Sequence, residues 1–174
     1  TVEEIIDKFS DDYKFSIHKT TCQGDATNIV KRELDDHDLV VCCGGDGTLN
    51  ETINGVMDMP RRVPIGYIPA GTTNDIANSL GIPTDIKKAA ENAVSGLPFG
   101  IDIGIVNNAK IFTYVASFGL FTKTSYSTPQ ELKNILGHLA YLLEGVKELS
   151  NIKGYNMEIK TENEIVKGEF IFGA

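Results

Sequence analysis

An apolar strand that breaks off into glycines dominates this sequence: Val40-Val41-Cys42-Cys43-Gly44-Gly45-Asp46-Gly47-Thr48-Leu49-Asn50-Glu51. A short continuous apolar run is the pattern of a strand covered on both faces, as in a parallel sheet flanked by helices. Glycines at 44, 45 and 47 are expected to take φ > 0 and to let backbone N–H groups approach an anion closely, and Thr48 to open a helix with an electropositive N-terminus. Together they read as a phosphate turn. No G-x-x-x-x-G-K-[ST] occurs, so no loop lysine neutralises phosphate, and Asn50 stands where a G-x-G-x-x-G turn needs its third glycine. The loop carries Asp46 instead. Two like charges ~4 Å apart repel by roughly 4 kcal/mol at an effective dielectric of about 20, so a cation is expected beside Asp46. Mg²⁺, which binds through one or two carboxylates together with phosphates, suits that place.

On either side of this turn the residues read as a βαβ series up to about residue 98. Tyr13-Lys14-Phe15-Ser16-Ile17 alternates with period 2, as a strand does, and Asp25 is placed to cap a helix carrying Ala26, Ile29, Val30 and Leu34 on one face. Leu49, Ile53 and Val56 mark the next helix, and Ile65 to Ile68 a further strand. Asn74 or Asp75 opens a short helix ended by Gly81, while Ile86, Ala89, Ala90, Ala93 and Val94 define a longer one that Gly96 stops. The segments that follow the two strands, at 44–48 and 69–75, should therefore meet at the carboxyl edge of a parallel sheet, where open α/β folds bind ligands.

Beyond residue 98 the pattern changes to hairpins. Ile101 to Val106 and Ile111 to Val115 flank the turn Asn107-Asn108-Ala109-Lys110, and strands around Tyr155 to Ile159 and Ile165 to Phe172 form a second pair. Between them, Thr128-Pro129-Gln130-Glu131 caps a helix near 129–150 whose face of Leu132, Ile135, Leu136, Leu139, Leu142, Leu143, Val146 and Leu149 reads as core.

The net charge of −8 over 174 residues argues against nucleic acid as a partner. No run approaches the ~20 apolar residues of a membrane span, and no leader pattern opens the chain. Cys22, Cys42 and Cys43 read as reduced thiols of a cytosolic protein, without His or Cys at metal-ligand spacing. His18, His37 and His138 lack neighbours of a triad or metal kind. Thr1 lies part-way into a helix bearing Val2, Ile5, Ile6 and Phe9, and the last residues, Glu169 to Ala174, form an apolar strand. A piece of a longer protein is expected.

The glycine loop resembles the GGDGT signature shared by diacylglycerol, sphingosine and ceramide kinases, soluble NAD kinases and phosphofructokinases. Pro69-Ala70-Gly71-Thr72-Thr73-Asn74-Asp75-Ile76-Ala77 resembles the P-x-G-T-x-N-D-x-A motif of the diacylglycerol-kinase catalytic domain, at matching spacing. Thr20 with Gly24-Asp25-Ala26 is similar to the T-x-x-x-G-D-A element of the bacterial branch. The resemblance implies an α/β nucleotide-binding domain over 1–98, lacking the family's N-terminal N-P-x-S-G strand, and over 99–174 the start of a β-rich second domain. It implies an ATP- and Mg²⁺-dependent kinase that phosphorylates a lipid hydroxyl, most plausibly diacylglycerol to phosphatidic acid. Such an enzyme would meet its lipid peripherally at the cytoplasmic membrane surface, with a homodimer as one assembly.

Carried onto this sequence, the family pattern places Thr20, Gly44, Gly45, Asp46, Gly47, Thr48, Asn50, Glu51, Thr72 and Asn74 around the nucleotide. Asp46 is the catalytic and metal-linked residue, its charge serving Mg²⁺ rather than packing. The general base is expected in the family's second domain, past residue 174. Each residue also has a plainer role: Asp46 as a turn residue, Thr48, Asn74 and Asp75 as helix caps, Glu51 as a partner of the helix dipole. Tyr114 departs from the asparagine that related chains often place before Val-Ala-Ser. A soluble NAD kinase-like small-molecule kinase and a non-catalytic nucleotide-binding regulatory module are the alternatives.

Overall fold

The computed structural model describes Phe9, residues 11–107, 110–119 and 153–174. Two compact units divide between Tyr114 and Val115. The first contains α1 (Asp25–Glu33), a 3₁₀ turn (Leu34–Asp36), β1 (Val40–Gly44), α2 (Asp46–Met57), β2 (Ile65–Pro69), α3 (Asp75–Leu80), α4 (Ile86–Ser95) and the strands β3 (Gly104–Val106) and β4 (Lys110–Phe112). β1 and β2 run parallel, in register from Val40 opposite Ile65 to Gly44 opposite Pro69.

The strand period decides which helix covers which face. Cys42 and Tyr67, opposite one another, point to the side taken by Leu49 and Ile53 of α2 and by Ile76 and Ala77 of α3. Ile68 points the other way, onto Ala89, Ala90 and Ala93 of α4. A third cluster of Val30, Leu34, Val56 and Val63 joins α1 to α2. Small residues set the closest approaches: a Cβ on Gly66 would lie 2.7 Å from Cβ of Ala93, and one on Gly55 would lie 2.8 Å from Cβ of Val30. Two arginines between α2 and β2 take up helix-end carbonyls. Arg61 donates to the carbonyls of Leu34, Asp35 and His37, and Arg62 to those of Val56 and Met57.

Several expectations change. Tyr13, Phe15 and Ile17 belong to no strand and are 44 %, 40 % and 62 % exposed, because alternation makes a strand only where a neighbour accepts its ladder, and β1 and β2 pair with each other alone among the described residues. The first hairpin appears as β3 and β4, antiparallel from Gly104 opposite Phe112 to Val106 opposite Lys110, with Asn107 at φ 53°. It stays with the α/β unit, Ile103 and Ile111 packing on the cluster around Tyr67. Of the three thiols only Cys42 is buried, and all are free.

In the second unit β6 (Tyr155–Lys160) and β7 (Ile165–Phe170) form the expected antiparallel pair, with β5 (Phe118–Gly119) paired to β8 (Phe172–Gly173). The rings of Phe118 and Tyr155 meet edge to face at 6.0 Å, and Glu158 pairs with Lys160 on its own strand and with Lys167 across the hairpin. The helix near 129–150, His138 and the N-terminal positions Val2, Ile5 and Ile6 lie outside the described residues.

The contact of β2 with α4 gives a direct test. Gly66→Ala should lower the stability of the first unit by about 1–3 kcal/mol through overpacking, whereas Gly100→Ala, where an added Cβ meets nothing within 4 Å, should leave the urea midpoint unchanged.

Candidate functional site

β1 and β2 end side by side, and the Ala70 N–H donates to the Gly44 carbonyl at 2.8 Å, so both glycine segments leave the same sheet edge. Gly45 is the N-cap of α2, at φ −90° and ψ −177°. The helix therefore opens at Asp46 rather than Thr48. Gly44, Gly45 and Gly47 do not take positive φ; the described glycines that do are Gly24, Gly81 and Gly119. Close approach, not handedness, requires the glycines. A Cβ on Gly71 would stand 2.5 Å from Cα of Gly45, and one on Gly44 would stand 2.8 Å from Cβ of Thr48. Gly47 is exposed, and a Cβ there would meet nothing within 4 Å. The N–H groups of Asp46, Gly47 and Thr48 precede the first intrahelical bond, from Leu49 N to the Gly45 carbonyl, and have no intrahelical acceptor.

Asp46 works differently from its expected role. Its Oδ2 accepts from the Asp75 N–H at 3.0 Å and from Thr73 Oγ1 at 3.3 Å, and its Oδ1 accepts from the Ile76 N–H at 3.0 Å. Asp75 and Ile76 are the first residues of α3, so the carboxylate of one glycine loop caps the helix that follows the other. Hydrogen-bond donors surround it, which suits an anion and not a cation, and the described residues contain no group of three His, Cys, Asp or Glu placed to hold a metal. The residues present do not fit a resident Mg²⁺ at Asp46.

Asn74 is likewise spent within the protein. It takes the left-handed conformation, φ 50°, at the N-cap of α3; its Oδ1 accepts from the Gly71 N–H at 2.9 Å and its Nδ2 donates to the Gly71 carbonyl at 3.0 Å. Thr72 is exposed beside the glycine contact, and Asp75 gives its backbone N–H to Asp46. The sequence reading passed over Thr73 and Gly71, whose parts depend on a loop 27 residues away.

Glu51 accepts from the Gly24 N–H at 2.8 Å, and Thr27 Oγ1 donates to the Glu51 carbonyl at 2.8 Å, tying α2 to the start of α1. Gly24 is the N-cap of α1, at φ 88°, and Asp25 is the first helical residue. The Asp25 carboxylate reaches back to the N–H groups of Thr21 and Cys22 and to the hydroxyl of Thr21. Those bonds, the Thr21 amide first, hold it well below the usual carboxylate range. Thr20 is exposed just outside this turn. The Oδ1 of Asn50 is buried without a hydrogen bond, as is the hydroxyl of Tyr67. Asn50 lines an open groove of about 450 Å³ with Gln23, Thr27, Glu51, Asn54 and Lys110.

Two glycine loops touching at the carboxyl edge of a parallel sheet, beside a helix N-terminus, define an α/β protein with the layout in which open sheets hold their ligands. Residues 1–106 match the diacylglycerol kinase catalytic domain, and the chain belongs to that family. It is 42 % identical over 171 residues to the diacylglycerol kinase of Bacillus subtilis (strain 168), covering 97 % of this chain and 56 % of that protein. With the diacylglycerol kinase of Staphylococcus haemolyticus (strain JCSC1435) the identity is 39 % over 158 residues, 90 % of this chain and 48 % of the relative. The chain thus spans about half the length of these relatives. A solved structure from Bacillus anthracis str. Sterne aligns at a TM-score of 0.77 and 26 % identity, over 98 % of this chain and 58 % of that one. A diacylglycerol kinase structure from the same source aligns at 0.74 and 24 %, over 98 % and 57 %. Among the described residues no helix is long and apolar enough to cross a membrane.

Removing the clasp should cost stability as well as function. Asp46→Asn is expected to lower the unfolding free energy by about 1–2 kcal/mol, the scale of a lost helix cap, while Asp75→Asn leaves it within about 0.5 kcal/mol; chemical denaturation checks both. For Asp25 the folded pKa is depressed, so its stabilisation is present above the unfolded value of about 3.9 and is lost as pH falls below it. Asp25→Asn should therefore melt lower at neutral pH, and the gap to the parent protein should narrow progressively as the pH falls below about 4.

Proposed function

We propose that this chain forms the nucleotide half of an ATP-dependent lipid kinase that transfers the γ-phosphate to diacylglycerol, giving phosphatidic acid at the membrane surface. The observation that carries it is the first turn of α2, whose N–H groups at Asp46, Gly47 and Thr48 have no intrahelical acceptor, beside the exposed Gly47. A phosphate there gains both hydrogen bonds and the positive end of the helix dipole. Asn50, Glu51, Asn54 and Asp58 continue from Gly47 along one side of α2 into the groove. A nucleotide with its phosphates at Gly47 runs its nucleoside down that groove, past Asn50, Asn54 and Lys110.

The reaction needs little covalent help from the protein. A lipid hydroxyl oxygen attacks the γ-phosphorus, the bond to the β-phosphate oxygen breaks, ADP leaves, and the hydroxyl proton passes to a base. The α2 amides position the phosphates and offset negative charge, and Thr72, exposed beside Gly45 and Gly71, offers a further hydroxyl. Mg²⁺ belongs to this reading as the counter-ion ATP carries. The diacylglycerol kinase names of the relatives favour this acceptor over NAD, and the family resemblance assigns the base to the second domain.

Two measurements test the reading. ATP added to ¹⁵N-labelled protein should shift the amides of Gly44 to Glu51 and of Gly71 to Asn74, and in the natural protein containing this chain labelled γ-phosphate should appear in phosphatidic acid when diacylglycerol is supplied in micelles. Shifts confined to the β6–β7 hairpin, or transfer to NAD alone, would overturn it. Gly45→Val, whose Cβ would meet Gly71 Cα at 3.2 Å, should weaken ATP binding on the order of 10²-fold by displacing one loop from the other.

A further inference from the structure

Asn54 stands two turns along α2 from Gly47, on the same side of the helix and about 10 Å down its axis. Its neighbours fix which way its amide lies. Nδ2 donates to the Asn50 carbonyl at 2.7 Å and to the Ile111 carbonyl of β4 at 3.5 Å. Carbonyl oxygens only accept, so the amide cannot turn over without setting oxygen against oxygen, and both Nδ2 hydrogens are taken. Oδ1 is the polar atom that Asn54 has left, and among the described residues nothing donates to it. Asn54 lines the groove of about 450 Å³ with Glu51, one turn nearer Gly47, and with Lys110, the neighbour of Ile111 on β4. Glu51 keeps Oε2 free, Oε1 being held by the Gly24 amide, and Lys110 has no ion pair among the described residues.

A lysine donor and a fixed amide acceptor on facing walls of this groove match the edge of adenine. Adenine carries an acceptor, N7, beside a donor, the 6-amino group, whereas guanine carries two acceptors there, N7 and O6. Lys110 suits N7 of either base; Oδ1 of Asn54 suits only the amine. We propose that Asn54 is the residue by which this chain selects adenine, its Oδ1 accepting from the 6-amino group of the bound nucleotide while its Nδ2 ties α2 to β4. The ribose hydroxyls then fall at Glu51, between base and phosphates. This selection rests on the phosphate-site reading above and supplies the residue that reads the base.

Two ligands test it on the natural protein containing this chain: ATP, and purine riboside 5′-triphosphate, in which hydrogen replaces the 6-amino group. The parent protein should hold ATP about three- to tenfold more tightly, the scale of one hydrogen bond. In Asn54→Ser, whose hydroxyl can still bond back to the Asn50 carbonyl four residues earlier, ATP should weaken to the level of the analogue and the preference should fall to about one. Lys110→Met, which removes the partner of an N7 common to both ligands, should weaken both and keep the preference. Equal affinity for the two ligands in the parent protein would overturn adenine selection by Asn54 and leave the phosphate-site reading standing. A preference that survives in Asn54→Ser would overturn it as well, even where both affinities drop, since that pattern makes Asn54 a tie between α2 and β4 and nothing more. A preference lost in Lys110→Met but kept in Asn54→Ser would give the selection to Lys110 instead. Binding of neither triphosphate by the parent protein would defeat the phosphate-site reading and the selection with it.

Discussion

One carboxylate holds this site together. Asp46 stands in the first turn of α2 and accepts from the first two amides of α3, so the positive ends of two helix dipoles converge on a single negative charge. The geometry that permits it comes from the strands. Because Gly44 is opposite Pro69, the two loops leave the sheet at one level, and because Gly45 and Gly71 both lack Cβ atoms, their backbones come close enough for the carboxylate to span them. A side chain at either glycine would part the loops and leave the α3 amides without their acceptor.

The same arrangement offsets the negative charge that the loop carries. Asp46 is turned toward the amides of α3, and the first-turn amides of α2 have no intrahelical acceptor. The carboxylate is thus neutralised from within the protein by oriented N–H groups, which lowers the repulsion that the sequence alone suggests. Glu51 repeats the device one turn along, its carboxylate on the Gly24 amide. Acidic residues of the motif brace neighbouring loops.

Much of the α/β unit was legible because its signals are local. The short strands at 40–43 and 65–68 and the helix faces around Ile53 and Ala89 each declare an element locally, and Gly81 ends α3 in the left-handed conformation that a C-terminal glycine suggests. The hairpin of β6 and β7 was equally plain. The roles of the acidic and amide side chains were not, because they depend on partners far along the chain: Asp46 meets Asp75, Glu51 meets Gly24, and Gly45 meets Gly71. Tyr13 to Ile17 misled for the opposite reason, since a perfect alternation says nothing about whether a neighbouring strand is present to pair with it.

Scalar coupling across hydrogen bonds reads the clasp itself. In uniformly ¹³C,¹⁵N-labelled protein, the amide nitrogens of Asp75 and Ile76 should each show a coupling to the side-chain carboxyl carbon of Asp46, and both should vanish in Asp46→Ala while the β1–β2 amide signals persist. If neither coupling is present in the parent protein, the two glycine loops are not joined by Asp46, and the carboxylate is free for another partner.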